Sequence, residues 1–373
     1  MSEQITVPRG LKNVVVTDTR IGDVRGDEGY YHYREYDATA LARSASFEDV
    51  WYLMVFGELP SPEQSAAFAR RIGQLRVVDD ATIDLLRATV VAGIEPLAAL
   101  RLALAALGLR DRPLYDQPGE ARVDAALRAA AATPTIIAAA YRIAGGREVV
   151  AADPDAGHVA DYLRMSTGED GTDAVGALQT YLVATIDHGF NASTFAGRVI
   201  ASTGSDVTSS ILGALGAFLG PLHGGAPSRA LAALEQIGDP SNTRDWVRDR
   251  ILAGDKIMGF GHAVYRTHDP RAELLKEVVC NRYDSPLARR AVAVEDEIER
   301  AINELKPGRQ LYANVEFYAG VLMSEVGLAP EMFTPTFAVA RIVGWTANIL
   351  EQAAEGKIIR PIARYVGPAP TRA

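Results

Sequence analysis

The sequence contains a single cysteine, Cys280, among 373 residues. No disulfide can form within the chain, and a zinc site built from several cysteines is excluded. A reducing cytoplasm fits this cysteine content, and we take it as the expected location.

Basic residues are also scarce. The chain has 38 Lys and Arg against 47 Asp and Glu, which gives a net charge of −9 and a pI of about 5.3. Proteins that bind nucleic acid usually carry a basic patch or stripe, so no nucleic-acid partner is expected. Local basic pockets for small anions remain compatible with this composition.

Long hydrophobic runs are missing as well. The longest apolar stretches are rich in alanine and are interrupted by Arg, Gly or Pro, so no membrane span is expected. The first ten residues, MSEQITVPRG, lack the charged segment and apolar run of a secretion signal.

Strand signals are almost absent after about residue 40. Residues 13–36 combine β-branched and aromatic residues with the turn sequence GDVRGDEG, which predicts one or two short strands or a hairpin. The rest of the chain has helical character, so the predicted fold class is mostly α. The length exceeds the ~250–300 residues at which a single core stops growing, so two domains are expected.

Capping residues and prolines predict where helices begin and end. Predicted starts are Ser61-Pro62, Thr133-Pro134, Asp206, Asp269-Pro270, Pro286, Asn314 and Pro335, and predicted ends are Gly145-Gly146 and Gly220-Pro221. No spacing matches a His-Glu-x-x-His metal site, a Gly-x-Ser-x-Gly nucleophile elbow or a dinucleotide-binding loop.

A first unusual loop is GPLHGGAPSRAL, residues 220–231. His223 lies in a tight connection between two helices, and Gly224 and Gly225 permit close approach of a ligand or another backbone. Without further context, a structural corner whose histidine caps a carbonyl is the favoured explanation of the loop.

A second unusual loop is KIMGFGHAVYRTHDPRA, residues 256–272. Gly259 and Gly261 expose main-chain groups that could bind a ligand, and His262 follows them. Arg271 falls in the first turn of a helix, where the helix dipole disfavours a cation, so binding of an anion is one explanation. A solvent-facing arginine is the other.

A third unusual stretch is LYANVEFYAG, residues 311–320, where Glu316 follows the cap Asn314. Acidic residues are common in first helical turns because they complement the dipole. The dipole also favours the ionised carboxylate that a general base needs. Both interpretations predict a charged Glu316.

Together these stretches resemble the citrate synthase family over nearly the whole chain. The similar motifs are DHGFNAS at 187–193, GPLHGGA at 220–226, GFGHAVYRTHDPRA at 259–272, NVEF at 314–317, RIVGWTAN at 341–348 and RPIARYVG at 360–367. The resemblance implies a nearly all-helical homodimer. It also implies a large domain of residues 1–224 and 325–373 and a small domain of residues 225–324 that closes on the substrates.

The resemblance further implies condensation of acetyl-CoA with oxaloacetate and hydrolysis of citryl-CoA, with no cofactor beyond the co-substrate and no metal. It implies that His223 supports the enol, that His262 polarises the ketone and that Glu316 removes the acetyl proton. The remaining implied contacts are His188, Arg271 and Arg341 to oxaloacetate, Arg360 across the dimer interface, and Lys256, Ile257, Met258, Gly259 and Phe260 to coenzyme A.

Four positions depart from the family pattern. Glu316 stands where Asp is usual, Gly189 where Glu is usual, Asn348 where His is common, and Glu35 where Gly is usual. The departures at Gly189, Glu316 and Asn348 motivate one alternative, a catalytically weak homologue that binds coenzyme A or a dicarboxylate. A second alternative is 2-methylcitrate synthase acting on propionyl-CoA, because one extra methylene in an apolar pocket changes binding by only ~1–3 kcal/mol. The YHYREY stretch begins about 30 residues in, which favours a simple dimer without the extra N-terminal domain of the hexameric type.

Overall fold

The computed structural model describes residues 5–169, 171–220, 223, 227–262, 264–306 and 311–369. Helices dominate these residues, as the sequence predicts. The α-helices, in chain order from α1 to α16, are Ala38–Ser44, Phe47–Phe56, Pro62–Arg76, Asp80–Thr89, Pro96–Leu107, Gly119–Ala144, His158–Thr167, Thr172–Thr185, Ala192–Ala201, Val207–Phe218, Pro227–Ile237, Thr243–Ala253, Pro270–Arg282, Pro286–Leu305, Val315–Glu325 and Phe333–Glu355.

The predicted N-terminal β segment is a three-stranded antiparallel sheet of β1 Gly22–Arg25, β2 Tyr30–Tyr33 and β3 Tyr36–Asp37. Period-2 alternation turns Tyr31 and Tyr33 of β2 into the core. Their hydroxyls donate to the carbonyls of Ala184 (3.0 Å) and Val183 (2.9 Å) at the end of α8. The hydrogen bonds of these two buried tyrosines therefore attach the sheet to α8.

The turn between β1 and β2 contacts the loop that follows His262. The Gly26 carbonyl accepts a hydrogen bond from the Arg266 amide at 3.0 Å. A Cβ atom on Gly26 would lie 2.3 Å from the Val264 carbonyl oxygen, so only glycine fits there.

Most of the predicted helix boundaries are confirmed. Ser61 forms a capping box with Gln64 at the start of α3, and Asp206 accepts the Ser209 amide at the start of α10. Helix α13 begins at Pro270 with Asp269 as its cap, and α15 begins after the cap Asn314. Helix α16 begins two residues before the predicted Pro335. Residues 221, 222 and 224–226, which include part of the predicted glycine-rich turn and the proposed domain boundary, lie outside the described residues.

The predicted helix start at Thr133-Pro134 is wrong, because α6 runs without interruption from Gly119 to Ala144. Pro134 cannot donate a hydrogen bond to the Ala130 carbonyl, which costs about 3 kcal/mol in a helix interior. The alanine-rich sequence has high helix propensity, and residues 125–127 and 129–140 are buried in a helix that packs on α3, α5 and α16. Burial on both sides of the proline outweighs the lost hydrogen bond.

Among the described residues, α6 is the one helix long and apolar enough to cross a membrane by length and composition. Its apolar window is 83% buried inside the protein, as expected for the central helix of a core.

Candidate active site

One cavity of about 1160 Å³ brings together most of the residues singled out by the sequence. That volume is sufficient for a large ligand and a small one together. The predicted residues that line it are His188, His223, Lys256, Ile257, Met258, Gly259, Phe260, His262, Arg271, Glu316 and Arg341. Arg360 is exposed and lies outside this cavity.

Arg271 is buried, with 3% of its surface exposed, so the interpretation as a solvent-facing arginine is wrong. Asp269 binds its guanidinium through two hydrogen bonds, to Nε at 3.0 Å and to a terminal nitrogen at 2.8 Å. Burial disfavours the charge of Arg271, but Asp269 raises the pKa of the guanidinium above its ordinary value. The cation therefore persists inside the cavity wall.

His262 presents a hydrogen-bond donor beside this cation. Its Nδ1 accepts hydrogen bonds from the amides of Val264 (3.0 Å) and Tyr265 (3.1 Å). The ring proton of the neutral histidine is therefore on Nε2. Burial lowers the pKa of His262 to about 4, and Arg271 acts in the same direction. Nε2 lies 3.3 Å from a terminal nitrogen of Arg271, so two donors face each other. Such a pair can be satisfied by one shared acceptor oxygen.

Two further groups complete the same wall. Nε2 of His188 lies 2.9 Å from the Tyr265 hydroxyl, and burial together with Arg271 holds the pKa of His188 well below its ordinary value. On α16, Nε of Arg341 donates to the Thr185 carbonyl at 3.0 Å, and its guanidinium lies 4.7 Å from the Phe337 ring centre. The wall thus combines two arginines with neutral imidazoles.

His223 is held by a network from α9 and α16. Its Nε2 lies 2.8 Å from the Ser193 hydroxyl. This hydroxyl also accepts a hydrogen bond from Nε1 of Trp345 at 3.0 Å, and it lies 2.7 Å from Oδ1 of Asn191. Burial lowers the pKa of His223 to about 4, and the charge of Arg341 contributes. The ring is therefore neutral at pH 7.

Glu316 is largely enclosed, and its ionisation differs from the sequence prediction. Asn314 caps the helix by accepting the Glu316 amide at 3.0 Å. Burial nevertheless raises the pKa of the Glu316 carboxyl to about 7, while Arg271 opposes this increase and Asp269 adds to it. Desolvation thus outweighs the helix dipole, and the carboxyl is about half ionised at neutral pH. A pKa near the working pH is well suited to a general base.

The loop of residues 255–262 is joined to the segment before α15. Gly259 and Gly261 have φ angles of +84° and +81°, a region that favours glycine. The Gly261 amide donates to the Tyr312 carbonyl (2.8 Å), and the Gly259 carbonyl accepts from the Asn314 amide (2.9 Å). Nδ2 of Asn314 donates to the Gly261 carbonyl at 2.9 Å. The loop that carries His262 and the helix that carries Glu316 are therefore fixed to each other.

Three of the departures from the family pattern have local explanations. Gly189 has a φ of +62°, so glycine is the favoured residue there. Asn348 is buried, donates to the Gly344 carbonyl (2.9 Å) and accepts from Arg198 (3.3 Å). In the YREY stretch the residue with a positive φ angle, +52°, is Arg34. Glu35 has no positive φ angle, so its backbone conformation does not require glycine.

Sequence reasoning missed several residues of the site. Tyr265, Asp269 and Ser193 contact predicted residues, and Arg229 lines the cavity near Glu316. The sequence indicates Asp269 only as a helix cap and Ser193 only as part of the DHGFNAS stretch. Within the described ranges, no group of three or more His, Cys, Asp or Glu side chains could hold a metal ion.

Comparison with known proteins agrees with this geometry. The family model "Citrate synthase, C-terminal domain" matches residues 10–362. The chain is 35% identical to a citrate synthase of Haloferax volcanii, covering 96% of this chain and 95% of that one. It is 36% identical to a 2-methylcitrate synthase of Mycobacterium tuberculosis, covering 98% and 92%.

Solved structures show the same architecture. Citrate synthase from Thermotoga maritima aligns with a TM-score of 0.88 at 34% identity, covering 99% of this chain and 98% of that one. A ternary complex of carboxymethyl coenzyme A and oxaloacetate with citrate synthase from Thermoplasma acidophilum aligns with a TM-score of 0.90 at 28% identity, again covering 99% and 98%. By sequence and by fold, this chain belongs to the citrate synthase family.

Proposed function

We propose that this protein is a citrate synthase, which condenses acetyl-CoA with oxaloacetate and hydrolyses citryl-CoA to citrate and free CoA. The observation that carries the proposal is the convergence of two buried arginines, three neutral histidines and one carboxyl of raised pKa in a single cavity. A binding protein for dicarboxylates would need the arginines but not Glu316.

Oxaloacetate would bind at the wall formed by His188, His262, Arg271 and Arg341. It has two carboxylates, and arginine side chains bind carboxylates through paired, charge-assisted hydrogen bonds. The facing donors of His262 and Arg271, 3.3 Å apart, suit an oxygen of the substrate between them. Nε2–H of His262 would polarise the ketone and stabilise the alkoxide that forms there.

Acetyl-CoA would react between Glu316 and His223. The ionised Glu316 takes a methyl proton, which leaves an enolate, and a hydrogen bond from Nδ1–H of His223 to the thioester oxygen stabilises it and gives it enol character. Its carbon then attacks the ketone carbon of oxaloacetate and forms the new carbon–carbon bond. Water finally cleaves the thioester and releases CoA.

The donor role of His223 constrains the Ser193 hydroxyl. For Nδ1 of His223 to carry the proton that stabilises the enol, Nε2 must be the acceptor, so the Ser193 hydroxyl must donate to it across 2.8 Å. The hydroxyl proton would then be directed away from Asn191, whose Oδ1 still accepts the Thr194 amide at 3.1 Å.

Coenzyme A would lie along Lys256–Phe260. The cavity lining also includes Arg229 and Lys306, whose positive charges would complement the phosphates of the nucleotide. The Thermoplasma acidophilum complex contains both a coenzyme A derivative and oxaloacetate, which supports a shared cavity for the two ligands in this fold.

We also propose a cytoplasmic homodimer that needs no cofactor beyond acetyl-CoA. Arg360 lies in a C-terminal segment without helix or strand, and Ile358, Ile362 and Tyr365 of this segment are 60–74% exposed. Exposed apolar residues favour contact with a second subunit, and such a contact would allow Arg360 to reach the partner's site.

Thiol release with oxaloacetate and either acetyl-CoA or propionyl-CoA tests the proposal. We expect turnover with acetyl-CoA to exceed turnover with propionyl-CoA, and His262→Ala to abolish it. His32→Gln is the matched control, because His32 is half-buried in β2 and does not line the cavity. A preference for propionyl-CoA would instead support 2-methylcitrate synthase, the name of a relative at 36% identity. No turnover with either thioester would support the binding-only alternative.

A further inference from the structure

Asp269 is the point at which two helices of the candidate site meet. It is 2% exposed, and each of its carboxylate oxygens accepts two hydrogen bonds. Oδ1 accepts the amide and Nε of Arg271, both at 3.0 Å. Oδ2 accepts a terminal nitrogen of Arg271 at 2.8 Å and the amide of Val315, the first residue of α15, at 3.1 Å. One side chain therefore joins the start of α13 to the start of α15.

Other capping aspartates in the described part of the chain do less. Asp206 accepts hydrogen bonds from the amide and the hydroxyl of Ser209. Asp79 accepts hydrogen bonds from the amide and the hydroxyl of Thr82. Each of these pairs of bonds stays within the aspartate's own helix. The bond to a second helix is a feature that capping alone does not require.

We propose that Asp269 is a positioning residue that fixes the oxaloacetate-binding Arg271 and the general base Glu316 relative to each other. The inference rests on the proposed function for the roles of those two residues. It assigns Asp269 no contact with substrate. Its effect is transmitted through the orientation of one guanidinium and of one helix start.

The geometry explains how this positioning operates. Asp269 occupies Nε and one terminal nitrogen of Arg271, which fixes the plane of the guanidinium beside Nε2 of His262. The bond to Val315 fixes the first turn of α15 one residue before Glu316. A shift of either helix would change the distance between the base and the bound substrate, and ~1 Å of misplacement can cost ~100-fold in rate.

Charge supports the same conclusion. The groups that act electrostatically on Glu316 are Arg271 and Asp269 at the start of α13, Arg229 on α11 and Tyr181 on α8. Asp269 raises the pKa of Glu316, whereas Arg271 and Arg229 lower it. Removing the negative charge of Asp269 leaves Arg271 uncompensated, so the pKa of Glu316 should fall.

Two variants separate the contributions. Asp269→Asn keeps the shape but replaces one acceptor oxygen with a donor, so two of the four hydrogen bonds and the charge are lost. Val315→Pro removes the amide that bonds to Asp269. Val315→Ala keeps that amide and controls for the loss of the buried valine side chain, which lines the cavity. Proline is favoured at a first helical position, and the preceding Asn314 already has the extended backbone (φ −102°, ψ 173°) that proline requires.

The controls are Asp206→Asn and Val207→Pro, which make the same changes at the start of α10. Kinetic constants are measured by thiol release from pH 5 to 9, and folding is checked by circular dichroism and thermal unfolding. We expect Asp269→Asn to lower kcat ~10- to 100-fold and to raise KM for oxaloacetate about 10-fold, because Arg271 loses its fixed orientation. We expect Val315→Pro to lower kcat ~10-fold relative to Val315→Ala, with KM for oxaloacetate nearly unchanged. Both controls should stay within about twofold of wild type, as for substitutions away from the site.

A direct titration distinguishes failure of this inference from failure of the proposed function. The infrared difference spectrum between an enzyme and its Glu316→Gln counterpart reports the ionisation of Glu316 without any substrate. We expect the midpoint to fall by about one pH unit in Asp269→Asn, since a nearby charge changes a pKa by about that amount. An inactive wild type with this shift present would overturn only the proposed function.

Full kcat in folded Asp269→Asn, or an unchanged midpoint, would overturn the positioning role of Asp269. If Asp269→Asn does not fold, Val315→Pro decides, because it leaves the ion pair with Arg271 intact. Equal kcat in folded Val315→Pro and Val315→Ala would then refute the link between the two helices.

Discussion

Replacing Glu316 with glutamine tests its assignment through activity and stability together. A general base cannot function as an amide, so turnover should fall ~100- to 10,000-fold. Affinity for oxaloacetate should stay nearly unchanged, because the predicted contact of Glu316 is the acetyl methyl group. Glu316→Asp withdraws the carboxyl by one methylene in a site built around glutamate, and we expect a loss of ~10- to 100-fold.

Stability should move in the opposite direction to activity. A pKa of about 7 in the folded protein, against an ordinary 4.5, means that the folded chain keeps a proton that the unfolded chain releases. Stability therefore falls as pH rises from about 4.5 through about 7, by about 3 kcal/mol in total. Glutamine removes this loss, so Glu316→Gln should unfold at a higher temperature than wild type at pH 8.5 and show little difference at pH 4.5.

Glu63→Gln is the matched control, because Glu63 is also the second residue of its helix but is exposed and has a lowered pKa. It should retain full activity and lose a little stability. If Glu316 were only a residue that complements the helix dipole, its glutamine variant would behave like Glu63→Gln and lose ~0.3–1 kcal/mol of stability. Full activity in Glu316→Gln, or a lower unfolding temperature at pH 8.5, would refute the reasoning.

Two further predictions concern other parts of the site. Gly26→Ala places a Cβ atom 2.3 Å from the Val264 carbonyl and should displace the loop after His262, lowering kcat at least ~10-fold. Gly216→Ala, which meets no atom within 4 Å, is its control, and equal thiol-release rates for the two variants would contradict this prediction. Mixed dimers of Arg360→Ala and His262→Ala chains should recover about one working site per dimer, whereas no recovered activity would rule out a contribution of Arg360 across subunits.

Much of the fold follows from local signals. Capping residues and first-position prolines placed the starts of α3, α10, α13 and α15, because these signals act within one helical turn. Pro134 shows where such signals fail. The local rule predicts a boundary, but the burial that overrides it comes from helices distant in sequence.

The candidate site divides in the same way. Its histidines, arginines and Glu316 are in recognisable motifs, so they could be named from the sequence. The pKa of Glu316 could not, because the helix dipole is a local effect and desolvation depends on the whole cavity. Asp269 was visible as a cap, but its bond to Val315 spans 46 positions of the chain and has no sequence signature.

The sheet at the N-terminus has a consequence for the order in which the chain folds. β1 and β2 precede the α-helices in the chain, so they leave the ribosome before them. The carbonyls that receive Tyr31 and Tyr33 belong to residues 184 and 183, and the amide that bonds to Gly26 belongs to Arg266. Contacts so distant in sequence form late, because a long loop must close before they become favourable. The sheet is thus synthesised before the segments on which it docks: Tyr31 and Tyr33 can dock only after residues 183 and 184 have emerged, and the turn at Gly26 only after residue 266.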